Sequence, residues 1–241
     1  VQRVTIIRDA DGEPTGMSFT GATVTVATYD CADSDQLTME VTDASLVRAS
    51  DVGDYLVGWT RDHPTDLTTS EVAAVSVSFD LDGVGDVSGS TVGTVQQLIG
   101  ASGDGHKHAS ISLAHNSRCQ AFLAVWDDPV TGDAHIDGRL LTGAGVLNGD
   151  LTRLSPALAA APDAARLPSV SYNAHGNAYF LAWQADTTTL AGDASYLAAR
   201  FLEADLTVRS LDAGDADIVV LDATTQTFRV NAVGGSSSAG I

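Results

Sequence analysis

Lysine and glutamate are nearly missing from this chain, although acidic residues are abundant. Lys107 is the one lysine beside 11 arginines, and 4 glutamates accompany 27 aspartates, so the formal net charge is −19 at pH 7. A surface this negative repels phosphate backbones, which disfavours a nucleic-acid partner. Hydrated aspartates with almost no lysine suit concentrated salt, where screening suppresses self-repulsion, and this predicts a halophilic protein. The alternative is an ordinary secreted protein whose aspartates lie in turns or bind calcium.

Long apolar runs and closely spaced cysteines are also missing. No apolar run approaches the roughly 18 to 20 residues of a membrane-spanning helix, and no signal segment is evident, so we expect a soluble chain without membrane insertion. Because the chain begins at Val1 and not at Met, we expect processing or trimming. Cys31 and Cys119 lack a CxxC spacing, which disfavours a zinc knuckle or a redox pair. They form either one long-range disulfide or two unpaired buried thiols.

A strand that ends in tryptophan occurs three times, at residues 55–59, 121–126 and 179–183. Each copy follows a short strand with a polar tip and precedes a second hairpin, which predicts units at about 45–94, 108–154 and 168–211. The tryptophans lie 67 and 57 residues apart. Four short strands in a repeat of about this length are typical of a β-propeller blade. The polar tips are 48–51, 115–118 and 173–177.

The two ends of the chain are predicted to complete a fourth blade together. Residues 217–232 align with 169–183 and supply a first hairpin, whereas residues 1–20 supply a second hairpin with an Asp-Gly turn. The shared blade would comprise 215–233 plus 1–20, and the Gly- and Ser-rich tail at 234–241 is flexible by composition.

The sequence thus predicts one all-β domain, residues 1–233, built as a β-propeller of about four four-stranded antiparallel blades. Residues 22–45 fit no part of the repeated unit. The alternative is therefore that the chain forms part of a larger propeller.

The repeat resembles the blade repeats of a family of secreted microbial proteins. Residues 168–173, Pro-Ser-Val-Ser-Tyr-Asn, together with the Trp strand at 179–183, carry the resemblance, as do Phe122 to Asp128 with Ile136 and Arg139. The resemblance implies propeller blades but no particular activity. Stacked blades bury one face on the next, so we expect the aromatic strands to fill the interfaces. The expected structural anchors are Trp59, Trp126 and Trp183.

Aspartate-glycine turns are the first candidate for a metal site. Oxygen-rich loops with glycine at the bend can bind calcium, which makes Ca²⁺ the candidate cofactor. Asp-Gly is also a strong hairpin signal, so a turn without an ion is the alternative. The aspartates concerned are Asp9, Asp11, Asp80, Asp82 and Asp86.

His106 and His108 are a second candidate for metal binding. On a strand, two alternate imidazoles point the same way and suit a transition metal. The sequence identifies no third ligand, so a solvent-facing loop is the preferred interpretation. The aspartates that follow each tryptophan are interpreted as acceptors of backbone N–H groups in their own turns, and a carboxylate ring for cations or sugars is the alternative. They include Asp62, Asp127, Asp128, Asp133 and Asp186.

Catalytic patterns are weak in this sequence. Propeller glycosidases need carboxylates at a defined separation, and the first strands of the units offer no evident pair among Asp43, Asp51, Asp217 and Asp222. The chain contains no nucleophile elbow, phosphate loop or zinc-protease helix. These observations favour a protein that is not an enzyme.

We therefore expect a non-catalytic interaction or scaffold propeller that is extracellular, periplasmic or at the cell surface. Its expected partners are other proteins or surface glycans, within an oligomer or a larger complex. The alternatives are a glycan-processing enzyme that uses channel carboxylates and a lectin that uses the acidic loops.

Overall fold

The computed structural model is an all-β protein, as the sequence predicts. It describes residues 3–8, 14–20, 41–49, 54–63, 66–81, 87–99, 105–130, 133–155, 164–187, 194–209, 219–221 and 228–230. Within these residues no helix offers the long apolar segment that would cross a lipid bilayer. The strands are β1 (Arg3–Arg8), β2 (Pro14–Thr20), β3 (Val41–Arg48), β4 (Asp54–His63), β5 (Asp66–Leu81), β6 (Val87–Val92), β7 (Gln96–Gln97), β8 (Ile111–Asn116), β9 (Ala121–Asp128), β10 (His135–Thr142), β11 (Leu147–Arg153), β12 (Ala164–Asn173), β13 (Ala178–Thr187), β14 (Ala194–Leu202), β15 (Val219–Leu221) and β16 (Phe228–Val230).

The strands form one hairpin and three larger antiparallel sheets. Strands β3, β4, β5 and β6 make the first sheet in chain order, with β7 paired to β5. Strands β8 to β11 make the middle sheet, and β12 to β16 make the third sheet. The predicted units at 45–94, 108–154 and 168–211 fall on these three sheets in turn. Apart from β7, strands that follow one another in sequence are neighbours in each sheet, as antiparallel pairing permits.

The middle sheet is covered on both faces. All eight residues of β9 are buried. Phe122 and Trp126 pack in one core with Leu56 of the first sheet, whereas Leu123 packs in another core with Leu181 of the third sheet. Side chains alternate between the faces of a strand, so a strand buried on both faces needs a continuous apolar run and not a polar-apolar alternation. This requirement explains the apolar residues at 121–126.

The three tryptophans share one orientation along the chain. Trp126 lies in the core between the first and middle sheets, and Trp183 lies in the core between the middle and third sheets. Each therefore packs on the face of its own sheet that meets the preceding sheet. Trp59 packs with Val75 and Val77 on the first-sheet face that is turned away from the middle sheet, so its orientation follows the same rule. The exposed fractions of the three indoles are 4% for Trp59, 0% for Trp126 and 1% for Trp183.

The first strands of the three sheets lie side by side: β3 contacts β8, and β8 contacts β12. Two similar hydrogen bonds join them. The Asp43 carboxylate accepts a hydrogen bond from the Ile111 backbone N–H at 2.9 Å, and the Ser112 hydroxyl accepts one from the Val170 N–H at 3.1 Å. Asp43, a candidate channel carboxylate in the sequence, is thus a structural link between neighbouring sheets.

The polar tips at 115–118 and 173–177 are matching turns. Asn116 Oδ1 accepts hydrogen bonds from the backbone N–H groups of Arg118 and Cys119, each at 3.0 Å. Asn173 Oδ1 accepts equivalent bonds from His175 at 3.0 Å and Gly176 at 3.2 Å. These are Asx turns, in which a side-chain amide replaces a backbone acceptor. Cys119 is an exposed free thiol, so the prediction of a buried thiol is wrong for this residue, and Cys31 lies outside the described residues.

The terminal strands form two hairpins. The N-terminal hairpin pairs β1 with β2, and the C-terminal hairpin pairs β15 with β16 and adds β15 to β14 at the third sheet. About half of the residues that would form the shared blade lie outside the described part of the chain. The blade at 215–233 plus 1–20 therefore stays a prediction.

Tyr179 provides a test of the core between the middle and third sheets. Its ring is fully buried, and burial raises the pKa of its phenol far above the ordinary value. Because the fold favours the neutral phenol, its contribution to stability is complete below about pH 10 and is lost as the pH rises and the unfolded chain ionises. We expect Tyr179→Phe to lose less stability than the wild type between about pH 9.5 and 11, as measured by urea unfolding. An equal loss in both proteins would contradict the buried environment.

Candidate functional site

The candidate metal centre is a group of Asp128, His135 and Asp137 at one end of the middle sheet. Each residue offers one ligand atom, and the three atoms all lie within 4.8 Å of one another. Asp128 and Asp137 are each 5% exposed. Two carboxylates and one imidazole in this arrangement can hold a metal ion. We call this group the His135 cluster.

Strand register brings the His135 cluster together. His135 pairs directly with Asp128 across β10 and β9, and Asp137 pairs with Trp126. Directly opposed residues of antiparallel strands share a face, and residues two apart on one strand also share a face. All three ligands therefore lie on the face of the middle sheet that carries Trp126. The apolar run of β9 fixes this register, since a shift by one residue would turn Trp126 out of its core.

The two ring nitrogens of His135 have different surroundings. Nδ1 lies 2.6 Å from the backbone carbonyl oxygen of Asp133, so it carries the proton and donates to that oxygen. Nε2 lies 3.5 Å from Asp137 Oδ1 and 3.7 Å from Asp128 Oδ2. A hydrogen bond from one imidazole nitrogen to a carbonyl fixes the tautomer and leaves the other nitrogen able to bind a metal. His135 is thus oriented with Nε2 toward both carboxylates.

The same geometry binds a proton when no metal is bound. The hydrogen bond to Asp137 raises the pKa of His135 above its ordinary value, and this effect exceeds the opposing effect of burial. Buried carboxylates are costly unless a cation compensates them. The cluster therefore favours a cation, and a protonated His135 or a metal ion would provide that charge.

A second layer of polar residues surrounds the His135 cluster. His106 Nδ1 lies 3.0 Å from Asp128 Oδ1, and the His106 side chain is 35% exposed. Arg153 makes two hydrogen bonds to the Asp133 carboxylate, at 2.6 and 2.7 Å, and this pairing lowers the pKa of Asp133. The Arg153 contact holds the loop whose carbonyl orients His135. His106 is the remaining imidazole at the open side of the cluster.

The loop at 105–110 is attached to the end of β9. His108 is 1% exposed, and its Nδ1 lies 2.8 Å from the Asp127 carbonyl oxygen. Asp127 Oδ1 accepts a hydrogen bond from the Ala109 N–H at 2.9 Å, and burial raises the pKa of Asp127. The interpretation of a solvent-facing loop is therefore wrong for His108. The interpretation of two parallel imidazoles on a strand is also wrong, because residues 105–110 are irregular.

The aspartates after the tryptophans have different partners. Asp127 accepts from a neighbouring loop, and Asp128 belongs to the His135 cluster. Asp186 Oδ1 accepts from the Gln184 side chain at 3.0 Å. Parts of the turns that follow β9 and β13 lie outside the described residues, so the turn-acceptor interpretation stays a prediction. The side chain of Asp62 lies outside the described residues.

Of the aspartates in the Asp-Gly turns predicted to bind calcium, Asp80 is among the described residues. Asp80 is exposed on β5, and its carboxylate lies beside Gly89 of β6. The other four aspartates of that prediction lie outside the described residues, so the calcium turns stay a prediction: Asp9, Asp11, Asp82 and Asp86.

The sequence contains a pattern from which the His135 cluster could have been predicted. His135 and Asp137 alternate at the start of a strand, directly after a strand that ends in Asp127-Asp128. A hairpin between the two strands would place His135 opposite Asp128 if the intervening loop were six residues long. The sequence alone does not give the length of this loop. It also does not show that residues 105–110 fold back onto β9.

Comparisons with families of proteins and with curated proteins find no match to this chain. Among solved structures, the chain resembles the crystal structure of an N-acetylgalactosamine deacetylase from F. plautii in complex with blood group B trisaccharide, at a TM-score of 0.46 and 13% sequence identity. The likeness covers 74% of this chain and 61% of that structure, so this chain spans about three fifths of its length.

Proposed function

We propose that this protein is a scaffold of β-propeller type that binds one divalent transition-metal ion at the His135 cluster. The observation that carries the proposal is the convergence of three ligand atoms within 4.8 Å, two of them on buried carboxylates. An apolar core fixes the strand register that supplies them. The metal site is therefore built on rigid strands, as precise coordination requires.

The ligand set favours a transition metal over calcium. Calcium takes six to eight oxygen ligands in flexible loops. The His135 cluster instead offers one imidazole nitrogen and two carboxylates on paired strands. Zinc binds nitrogen and carboxylate ligands with four-coordinate geometry, and three protein ligands leave one position for water or for a group from a partner. Zinc is therefore the first ion to test and calcium is the comparison.

Two features of the fold support the propeller architecture. The first strands of successive sheets contact one another and share side-chain-to-backbone hydrogen bonds, as the inner strands of successive blades would. Trp126 and Trp183 face the preceding sheet, and Trp59 lies on the corresponding face of the first sheet. In a closed ring the face of Trp59 would meet a blade formed by the two termini.

The interaction role follows from the scaffold and the charge. A stack of rigid sheets presents loops at both ends, and loops on a rigid scaffold are the usual place for binding. With a net charge of −19, the protein favours cations and neutral surfaces over nucleic acid. We place it outside the cell or at its surface, with other proteins or glycans as partners.

The proposal predicts that zinc stabilises the wild-type protein and that His135→Ala removes this effect. Ligand binding to the folded state stabilises it by about 2.7 kcal/mol when the free ion is at 100 times its Kd. Untagged protein, stripped with EDTA, would be titrated with zinc or calcium in a calorimeter and then melted with each ion. We expect zinc to bind at one site per chain and to raise the Tm.

His175→Ala is the matched control, because His175 is exposed on the β12–β13 turn away from the cluster. It should bind zinc as the wild type does, whereas His135→Ala and Asp137→Asn should each weaken binding by tenfold or more. Unchanged zinc binding in His135→Ala would overturn the site. Binding of calcium but not zinc would overturn the choice of ion, and would direct attention to the Asp-Gly turns.

A further inference from the structure

A pocket lies where the first strands of the three sheets end, and we call it the tip pocket. Its volume is about 410 Å³, within the range of roughly 300 to 1,000 Å³ that small-molecule sites occupy. Strand β3 provides Val47 and Arg48 to its wall, and the ends of β8 and β12 provide the rest. Three separate sheets therefore build one concave site, although no single sheet could form it.

Among the residues that the structure describes, the charged group lining the tip pocket is the Arg48 guanidinium, in an otherwise acidic protein. These lining residues include Arg48 and His115 and contain no aspartate or glutamate, whereas the chain carries a net charge of −19. Arg48 is exposed and makes no ion pair with any residue that the structure describes. A guanidinium binds a carboxylate through two parallel hydrogen bonds. The charge of the pocket thus matches a small anion.

Three aliphatic side chains and a tyrosine give the wall an apolar, well-packed part. Val47, Leu113 and Val170 line it, and Leu113 and Val170 belong to the cores between the sheets. The Tyr172 hydroxyl donates a hydrogen bond to Asn177 Oδ1 at 2.8 Å, which holds the tyrosine ring in place at the pocket edge. Such a wall contacts an apolar or aromatic body better than a hydrated one.

We propose that the tip pocket binds a small monocarboxylate with an apolar or aromatic body, whose carboxylate pairs with Arg48 and whose body contacts Val47, Leu113, Val170 and Tyr172. The imidazole of His115 lies on the same wall, with its ring centroid 4.9 Å from that of Phe122. Benzoate has this chemistry and fits the volume.

The tip pocket and the His135 cluster lie at opposite ends of β8 and β9. Ile111, at the start of β8, pairs with Trp126 near the cluster, whereas Asn116, at the end of β8, pairs with Ala121 near the pocket. Five steps along a strand span roughly 17 Å at about 3.3 Å per residue. The two sites can therefore be tested separately, and the carboxylate proposal does not rest on metal binding.

Binding of benzoate to the full chain would be measured by saturation-transfer difference NMR and by titration of ¹⁵N-labelled protein, with benzamide as the neutral counterpart. We expect benzoate to shift the amides of 47–48, 113–117 and 170–174. Benzamide should bind at least tenfold more weakly, because a charge-assisted pair contributes more than a neutral hydrogen bond. Arg48→Gln should weaken benzoate binding by a similar factor and leave benzamide binding unchanged.

Two further variants keep the test decisive. Arg166 lies on β12, its side chain is 59% exposed, and it is not among the residues that line the pocket. The variant Arg166→Gln should therefore bind benzoate with the same affinity as the wild type. Ala174→Phe places a ring into the pocket from an exposed position and should abolish binding of both probes without lowering the Tm. Equal affinity for benzoate and benzamide, no benzoate binding at millimolar concentration, or unchanged binding in Arg48→Gln would overturn the proposal.

Discussion

Replacing Trp126 with alanine is expected to lower the free energy of unfolding by about 3 to 5 kcal/mol, the usual cost of truncating a buried large aromatic side chain. Trp126 is fully buried in the core between the first and middle sheets. Its indole N–H has no hydrogen-bond partner in the described part of the chain. The loss would therefore come from packing alone, since no hydrogen bond is broken. It would measure how strongly the two sheets hold each other.

Urea unfolding, followed by tryptophan fluorescence and by far-ultraviolet circular dichroism, would measure this loss. Leu151→Ala is the matched control, because Leu151 lies on the same sheet but is 44% exposed; surface changes of this kind usually alter stability by less than about 0.5 kcal/mol. A loss below about 1 kcal/mol in Trp126→Ala would show that the indole does not hold the interface. A changed m value would indicate that the two sheets unfold separately.

Gly145→Ala is expected to be the second most damaging change, at about 2 to 5 kcal/mol. Gly145 has a φ of +75°, a conformation that costs other residues about 1 to 2 kcal/mol. A Cβ added there would lie 2.7 Å from Cβ of Ser76 on the first sheet. Overpacking of such a contact typically costs about 1 to 3 kcal/mol more. The turn after β10 would have to move away from β5.

Gly149→Ala separates these two costs, because Gly149 has a φ of +95° but nothing lies within 4 Å of an added Cβ. It should therefore lose only the backbone part, about 1 to 2 kcal/mol. Gly145→Ala should be less stable than Gly149→Ala. The double variant Gly145→Ala/Ser76→Gly should regain most of that difference in the free energy of unfolding. If urea unfolding shows that Gly145→Ala and Gly149→Ala lose equal stability, then the first and middle sheets do not approach each other closely at Ser76.

The sequence predicts the sheets of this protein well because their cores repeat. An apolar run before each tryptophan, such as 121–126, predicts a buried strand, and the polar tips predict the turns between strands. The all-β fold with antiparallel sheets follows from these local patterns. The proposed ring closure would depend on how the N- and C-terminal hairpins pair, and a pairing between distant segments leaves little local trace in a sequence.

The candidate site was harder to predict because its residues come from three separate segments. His135 and Asp137 alternate in sequence, but Asp128 joins them only through strand register. His106 reaches Asp128 because the loop at 105–110 folds back onto β9 through hydrogen bonds of His108 and Asp127. A buried aspartate after a tryptophan looks the same in sequence whether it caps a turn or binds an ion.

The shared orientation of the tryptophans makes every contact between neighbouring sheets head-to-tail. Such a stack ends in two unlike faces. One bears Trp59 with Val75 and Val77, and the other bears the rings of Phe180 and Phe201 on the third sheet, which are tilted against each other with their centroids 5.1 Å apart. Head-to-tail contacts either return to their starting point as a ring or continue from one molecule to the next as a filament. A net charge of −19 on each molecule opposes the filament, so the proposed propeller architecture and the charge both favour the ring.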